Sequence, residues 1–303
     1  MMDSCDEARH FSLTVPRLAF SRPVLLHSIL ALASRYDAMH RGVPPDLDAL
    51  RYNHHCIEYL IESLSKPPET YGSELLAAVV IARSYEECDF EADLSHHHLI
   101  GTRNLLTDDT VARVASQGGL AEAACWVHLR QAIYAYLVKK RPVDGDLDAF
   151  TRLTAFKRTD DSAYANRMVY HFARVLRCSL ASASTSGTQS SKESWTDLEA
   201  EVDEWHHTKP VSFEPVYDSV SEEGEEVPTI IMMSIVTCKH PFILHFASSA
   251  NLGIPVMGLQ YYYAALAIFH LKKFNYNNAG GDGFTTSKAR RKAQVSLGFL
   301  VSI

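Results

Sequence analysis

Two runs of histidine are the residues in this sequence that come closest to a metal site. The first is His96–His98, and the second opens the segment His54–Cys56. Successive side chains on a helix point about 100 degrees apart, so neighbouring histidines cannot converge on one tetrahedral ion. We therefore predict no metal ligands. His54 shares a helix face with Ile57 and Ile61, which favours a hydrogen-bonded, partly buried histidine.

Acidic side chains cluster between two predicted helices, at Glu86, Glu87, Asp89, Glu91 and Asp93. A pair of carboxylates can act as acid and base when burial raises the pKa of one member. Nothing in this stretch indicates burial, so we predict a solvated connection. Asp93 or Ser95 could instead cap the helix that follows.

A third group of residues is aromatic and comprises Tyr261–Tyr263, Phe269 and Trp205. Such side chains could line an apolar ligand pocket between helices, and they serve equally well as core residues, which is the interpretation we favour. No nucleophile elbow, phosphate loop or dinucleotide fingerprint occurs in the sequence. We therefore assign no catalytic residue and no cofactor and predict that the chain is not an enzyme. The alternative is an all-helical small-molecule binder or enzyme that uses the aromatic residues.

One short run of basic residues lies near the end of the sequence, at Lys288, Arg290, Arg291 and Lys292. It fits a nuclear import signal or a weak phosphate contact, and a solvated helix face remains the competing interpretation. The whole chain has a net charge of -7, from 29 basic and 36 acidic residues. A nucleic-acid binder normally carries a basic face, so we predict no direct contact between this chain and DNA.

The segments that carry these histidine, acidic, aromatic and basic residues show mainly helical periodicity. The spacing of apolar residues predicts helices over about 23–40, 48–64, 73–87, 93–106, 119–140 and 161–180, another from residue 195, and one over 258–274. Strand-like alternation is scarce. The predicted fold is all-α, a multi-helix array, and an α-solenoid-like packing of helical hairpins is also open.

The apolar residues also predict which side of each helix is buried. The first helix places Leu25, Ile29, Leu32 and Tyr36 on one face, and the second places Leu50, Ile57, Ile61 and Leu64 on one face. The helix over 73–87 is apolar on almost every side up to Ala82, which is typical of a central helix.

Composition divides the chain into a tail (1–22), a first helical part (23–178), a Ser/Thr-rich flexible loop (179–194), a second helical part (195–275) and a C-terminal tail (276–303).

The six cysteines include no Cys-x2-Cys pair, which favours buried reduced thiols and leaves disulfides open. No signal peptide is visible, and the apolar runs fall short of a membrane span. We expect a soluble intracellular protein without membrane contact.

Several blocks of this sequence resemble one protein family. The clearest are residues 74–102 (ELLAAVVIARSYEECDFEADLSHHHLIGT) and 119–141 (GLAEAACWVHLRQAIYAYLVKKR). Further blocks lie at 23–38, 52–64, 165–177, 195–213 and 258–263. Their order over residues 20–275 resembles the fungal-specific transcription factor domain, the C-terminal regulatory region of fungal zinc binuclear-cluster transcription factors.

The resemblance implies a nuclear transcriptional regulator that acts through protein co-regulators or a DNA-binding partner, with a small-molecule effector as a further partner. Control of secondary metabolism is one role it leaves open. The family usually begins with a basic cluster of the form Cys-x2-Cys-x6-Cys, which this sequence lacks. The resemblance therefore implies a regulator without its own DNA reader, or a truncated product. Residues 227–255 fit the family poorly, and our hypothesis is that part of this stretch derives from a retained intron.

Overall fold

The fold is all-α, as the helical periodicity predicts. The structure is a computed structural model that describes residues 2–43, 47–88, 110–139, 147–181, 194–214, 217–219, 229–231 and 253–280. The helix predicted over 93–106, the run His96–His98, the basic run from Lys288 to Lys292 and most of residues 227–255 lie outside these ranges.

Contacts divide the chain into two compact units. The first takes in Met1–Ala132 and Asp144–Lys157, and the second takes in Ile133–Val143 and Arg158–Ile303. Each unit buries its own large side chains. In the first these include Leu25, Leu76, Leu129, Leu147 and Leu153, and in the second Met168, Leu176, Leu198 and Phe213.

The first unit is built from helices that follow one another closely along the chain. They are α1 (Val15–Ala19), α2 (Pro23–His40), α3 (Leu47–Leu64), α4 (Ser73–Glu87) and the beginning of α5 (Gly119–Lys139). Short helical turns at His10–Thr14, Pro68–Thr70, Val111–Ala115, Asp148–Arg152 and Thr154–Phe156 fill the connections. Pro23 stands at the first position of α2, where its missing N–H removes no helical hydrogen bond.

Helix α4 is the central helix of this unit, which confirms the prediction from its apolar composition. Every residue from Leu75 to Arg83 is buried, and so is Tyr85. Helices α1, α2 and α3 all contact α4. A helix surrounded in this way has no solvated face to carry polar side chains, so each polar residue on it needs a partner inside the protein.

The buried faces of α2 and α3 differ from the predicted ones, although Leu25 is buried as predicted. The buried residues of α2 are Leu25, Ser28, Ala31, Arg35 and Ala38, and those of α3 are Ala49, Cys56 and Leu60. Tyr36 is 60% exposed, and Leu50 and Ile61 are 50% and 63% exposed. Large apolar side chains of α3 therefore face outward, and rings contribute to the contact between the two helices, where His27 of α2 stacks on Tyr59 of α3.

The second unit contains α6 (Asp161–Ala181), α7 (Trp195–Thr208) and α8 (Ile254–Gly280). Both of the first two helices bury an apolar stripe, formed by Met168, Phe172, Val175 and Leu176 on α6 and by Leu198, Val202 and Trp205 on α7. Two strands, β1 (Tyr217–Ser219) and β2 (Thr229–Ile231), form an antiparallel ribbon in which Tyr217 pairs with Ile231. Three-residue strands are too short for alternation to reveal them in the sequence.

A close approach between α8 and α6 explains the glycine that opens the Gly-Leu-Gln-Tyr-Tyr-Tyr block. A Cβ atom added to Gly258 would lie 2.7 Å from Cε1 of Phe213 and 3.3 Å from Cα of Ala165. Phe213 is fully buried and the second contact is with backbone, so neither neighbour can move aside at low cost. The absence of a side chain at this position therefore sets how near α8 lies to α6.

Helix α8 is also long and apolar enough to cross a membrane, judged by length and composition alone. The stretch is Ile254–Lys272, with a mean hydropathy of 1.2. The prediction that the apolar runs fall short of a membrane span is therefore wrong for this helix by length and composition, because the helix begins one turn before the predicted range 258–274. Tyr261 lies against Phe172 of α6, and Tyr262 lies against Trp205 of α7. These contacts are those of a core helix, which passes the same test.

Candidate functional site

Arg83 lies inside the first unit, where its charge and its N–H donors require partners. Only 4% of the side chain is exposed, and its Nε donates to Oε1 of Glu87 at 3.1 Å. Its Nη1 lies 3.4 Å from Nδ1 of His128 on α5. Because arginine can only donate, His128 accepts at Nδ1 and carries its proton on Nε2. Arg83 therefore joins α4 to α5 through polar contacts.

Burial decides the charge states in this group. Burial, together with the nearby positive charge of Arg83, lowers the pKa of His128 to about 3. His128 is therefore neutral at physiological pH, as its role as acceptor requires. Burial also lowers the pKa of Arg83, while the carboxylate of Glu87 acts in the opposite direction. The pair thus remains an ion pair, with a neutral imidazole beside it.

A second set of polar contacts links the same two helices one turn away. Nε2 of Gln131 donates to the carbonyl oxygen of Val80 at 2.9 Å and to Oγ of Ser84 at 2.8 Å. The Ser84 hydroxyl donates in turn to the Val80 carbonyl at 3.2 Å. A buried amide that bonds to both backbone and side chain fixes the rotation of one helix against the other.

Glu122 anchors the beginning of α5 to the segment that follows that helix. Its side chain is buried and accepts hydrogen bonds from Nε1 of Trp126 at 3.2 Å, from the backbone N–H of Ala155 at 3.0 Å and from the Thr154 hydroxyl. Trp126 also packs against Phe150, with 5.4 Å between the ring centres. One carboxylate thus satisfies three donors that burial would otherwise leave unpaired.

These contacts assign a role to most of the RSYEE segment at residues 83–87. Arg83 and Ser84 bond to α5, Glu87 balances the charge of Arg83, and the ring of Tyr85 lies 5.8 Å from the guanidinium of Arg35 on α2. The prediction that Glu87 belongs to a solvated acidic connection is therefore wrong, since only 17% of its side chain is exposed. The remainder of that connection, from Asp89 to Asp93, lies outside the described residues.

The histidines on α3 are held by a carboxylate. Glu58 lies 3.3 Å from Nε2 of His54 and 2.9 Å from Nδ1 of His55. The side chain of His54 is 71% exposed, so the prediction of a partly buried histidine is wrong. Cys56 faces the opposite side of α3, and burial raises the pKa of its thiol to about 12. The described residues contain no group of three side chains that could hold a metal ion.

None of the described cysteines forms a disulfide, and four of the five are buried. Burial raises the pKa of Cys125, on α5, to about 12, as it does for Cys56 on α3. Both thiols are therefore protonated and act as small apolar side chains. The sequence interpretation that favoured buried reduced thiols is confirmed for these residues.

The aromatic residues of the second unit pack against one another. Tyr262 stacks on His206, with 4.3 Å between ring centres and 8 degrees between planes, and it also lies against Trp205 at 5.8 Å and Tyr263 at 5.2 Å. Nε1 of Trp205 donates to the carbonyl oxygen of Tyr164 at 2.9 Å. Burial raises the pKa of Tyr262 and lowers that of His206 to about 4, so both rings are neutral. The geometry is that of a core, which supports the interpretation favoured from the sequence.

Sequence reasoning missed the residues that join α4 to α5, although a signal for them is present. Arg83, His128 and Gln131 are polar residues within helices that are otherwise apolar on nearly every side. Periodicity cannot show their pairing, because the partners are 45 and 47 residues apart. The polar residues of a central helix are thus the ones to inspect for buried networks.

The described structure defines a class of protein: an all-α domain whose distinctive sequence blocks build the scaffold through buried polar contacts. Comparison with protein-family models matches residues 4–201, about two thirds of the chain, to the fungal specific transcription factor domain. The chain belongs to that family, which confirms the resemblance and supports a role in transcriptional regulation. Members of the family are in general not enzymes. No curated protein and no solved structure matches the chain.

The buried neutral His128 makes the stability of the first unit dependent on acid. In the unfolded chain a histidine binds its proton near pH 6.5, whereas the folded state holds the pKa of His128 at about 3. Protons therefore favour unfolding as the pH falls below about 6.5. We expect the free energy of unfolding to decrease by about 2 kcal/mol more between pH 7 and pH 5 in the natural chain than in His128→Gln, in urea titrations.

His40→Gln is the matched control for this prediction, because His40 is an exposed histidine of the same unit. That variant should keep the pH dependence of the natural chain. If His128→Gln shows the same pH dependence as the natural chain, then His128 is not held neutral in the folded state.

Proposed function

We propose that this chain is the non-enzymatic regulatory region of a nuclear transcriptional regulator, which acts through protein co-regulators or a DNA-binding partner. The observation that carries the proposal is that residues matching the fungal specific transcription factor domain fold into packed helices, and that two of the blocks that carry the resemblance are hydrogen-bonded to each other on α4 and α5.

DNA binding, in this proposal, comes from another protein or from a segment outside this sequence. The net charge of -7 is unfavourable for binding to a polyanion. The exposed arginines of the first unit are in part neutralised: Arg41 lies 2.7 Å from Asp37, and Arg22 lies 3.4 Å from Glu74. The chain therefore presents a surface suited to protein partners more than to a duplex.

Tethering the chain to DNA tests whether it regulates transcription. The chain is fused to an unrelated DNA-binding domain that carries its own import signal, and a reporter gene with sites for that domain is measured in a fungal host. We expect the fusion to change reporter output several-fold relative to the DNA-binding domain alone. Equal output at equal protein level would contradict the proposal.

Two arginine variants connect this regulation to the fold. Arg83→Met removes a buried cation and leaves Glu87 unpaired, which is expected to destabilise the unit by about 3–5 kcal/mol and to abolish the reporter effect. Arg41→Met is the control, because Arg41 forms an ion pair of the same i, i+4 spacing with 53% of its side chain exposed. That variant should behave like the natural chain.

Nuclear entry is a separate part of the proposal and has its own test. The run from Lys288 to Lys292 has the composition of an import signal. We expect a fluorescently tagged chain to accumulate in the nucleus and the double variant Arg290→Ala/Arg291→Ala to move to the cytoplasm. Substitution of the exposed Arg22 and Arg41 by alanine is the control for loss of charge. Exclusion of the unmutated chain from the nucleus would count against direct action on transcription.

A further inference from the structure

Helix α3 carries an apolar stripe that points away from the core of its own unit. The stripe recurs at i, i+3, i+7, i+10, i+14 and i+17, which is the a and d spacing of a coiled-coil heptad. Its members, called here the α3 seam, are Leu47, Leu50, His54, Ile57, Ile61 and Leu64. Five of the six positions are leucine or isoleucine, the residues that coiled-coil seams prefer.

The α3 seam is exposed to an extent unusual for such residues. The exposed fractions are 84% for Leu47, 50% for Leu50 and 63% for Ile61. The core contacts of α3 are made from a different face by Ala49, Cys56 and Leu60. Ile57 in the middle of the seam is half-buried, and Leu64 at its end is 37% exposed. Several large apolar side chains exposed along one helix are the feature that marks an interaction site.

We propose that the α3 seam is an interface between two copies of this chain, formed by antiparallel packing of the two α3 helices about a two-fold axis. The sequence of the seam is symmetric under this operation. Leu47 then meets Leu64 of the second copy, Leu50 meets Ile61, and His54 meets Ile57. Every leucine in the seam thus has an apolar partner, and a two-fold axis closes the assembly at a dimer.

The charged residues beside the α3 seam agree with this arrangement. Arg51 and Glu58 occupy the two e positions next to the seam, and e positions of two antiparallel helices face each other. In the register given above, Arg51 lies about two residues from Glu58 of the second copy along the axis, about 3 Å, which long side chains can span. Within one chain Arg51 lies 3.7 Å from Asp48, and Glu58 contacts two histidines. All of these charges are at the surface and can turn toward a second copy.

A parallel pair fits the same residues less well. It would stack His54 on His54 of the second copy, and it would direct the e positions toward the g positions, Asn53 and Leu60. Neither g residue is charged, and Leu60 is buried in its own unit. Charge complementarity therefore favours the antiparallel pair. The seam is about 27 Å long, so we expect a weak dimer whose population depends on concentration.

Charge reversal in the full chain tests both the interface and its orientation. The measurement is sedimentation equilibrium over a hundred-fold range of concentration. Arg51→Glu places two acidic residues face to face, and Glu58→Arg places two basic residues face to face, so each is expected to weaken dimerisation about ten-fold. The double variant R51E/E58R restores opposite charges and should restore the dimer. Arg41→Glu, away from the seam, is the control and should leave the dimer unchanged.

A second variant tests the seam without any risk that loss of folding explains the result. His54 is the polar residue at an a position, where a polar side chain lowers the stability of a coiled coil. His54→Leu should therefore strengthen dimerisation, also by about ten-fold. Weaker or unchanged association of this variant would overturn the proposal.

Three further results would overturn it. A chain that is monomeric at every concentration, with seam variants that change only its melting temperature, would show that another segment of the chain covers the seam. Single charge reversals that leave association unchanged would place the dimer interface elsewhere. Failure of R51E/E58R to restore the dimer lost in both single variants would exclude the antiparallel register.

Discussion

The rest of the first unit depends on one constraint: α4 is buried along most of its length, so each polar group in its buried part must find a partner inside the protein. Arg83 and Ser84 meet this constraint through His128 and Gln131 of α5. Apolar packing alone would tolerate several rotations of α4, because leucine, valine and alanine on all sides are nearly equivalent. Directional hydrogen bonds in a medium of low dielectric constant select one of them. The characteristic sequence blocks of the chain thus specify an arrangement of helices.

The two cores and the exposed surfaces of this protein have different roles. Among the described residues, the buried charge pair of α4 and the neutral buried rings of both cores are engaged in contacts that hold the helices in place. Regulation then has to pass through surfaces. In the described residues of the first unit, the α3 seam is the surface that differs most from an ordinary solvated helix, because it exposes leucine and isoleucine at regular spacing. A regulator that acts through partners needs such a surface, and a stable core behind it.

Local features of the sequence predicted the helices and the central place of α4, because period and composition are properties of each segment. They failed where the answer depended on a second segment. The largest apolar residues of α3 were expected inside, whereas Ala49 and Cys56 face the core, because close helix approach rewards small side chains. Glu87 was expected in water, since no local pattern reveals that Arg83 is buried beside it. The need for glycine at position 258 could not be predicted either, because it depends on the close approach of Phe213 from another segment.

A double-mutant cycle between Ser84 and Gln131 tests the central claim that the characteristic segments are bonded to each other. The free energy of unfolding is measured for Ser84→Ala, Gln131→Leu, the double variant and the natural chain. Direct bonding predicts a coupling of about 1 kcal/mol. The pair Ser84→Ala and Arg41→Met, which have no contact, should be additive. Additive effects of Ser84→Ala and Gln131→Leu, within about 0.3 kcal/mol, would contradict the account.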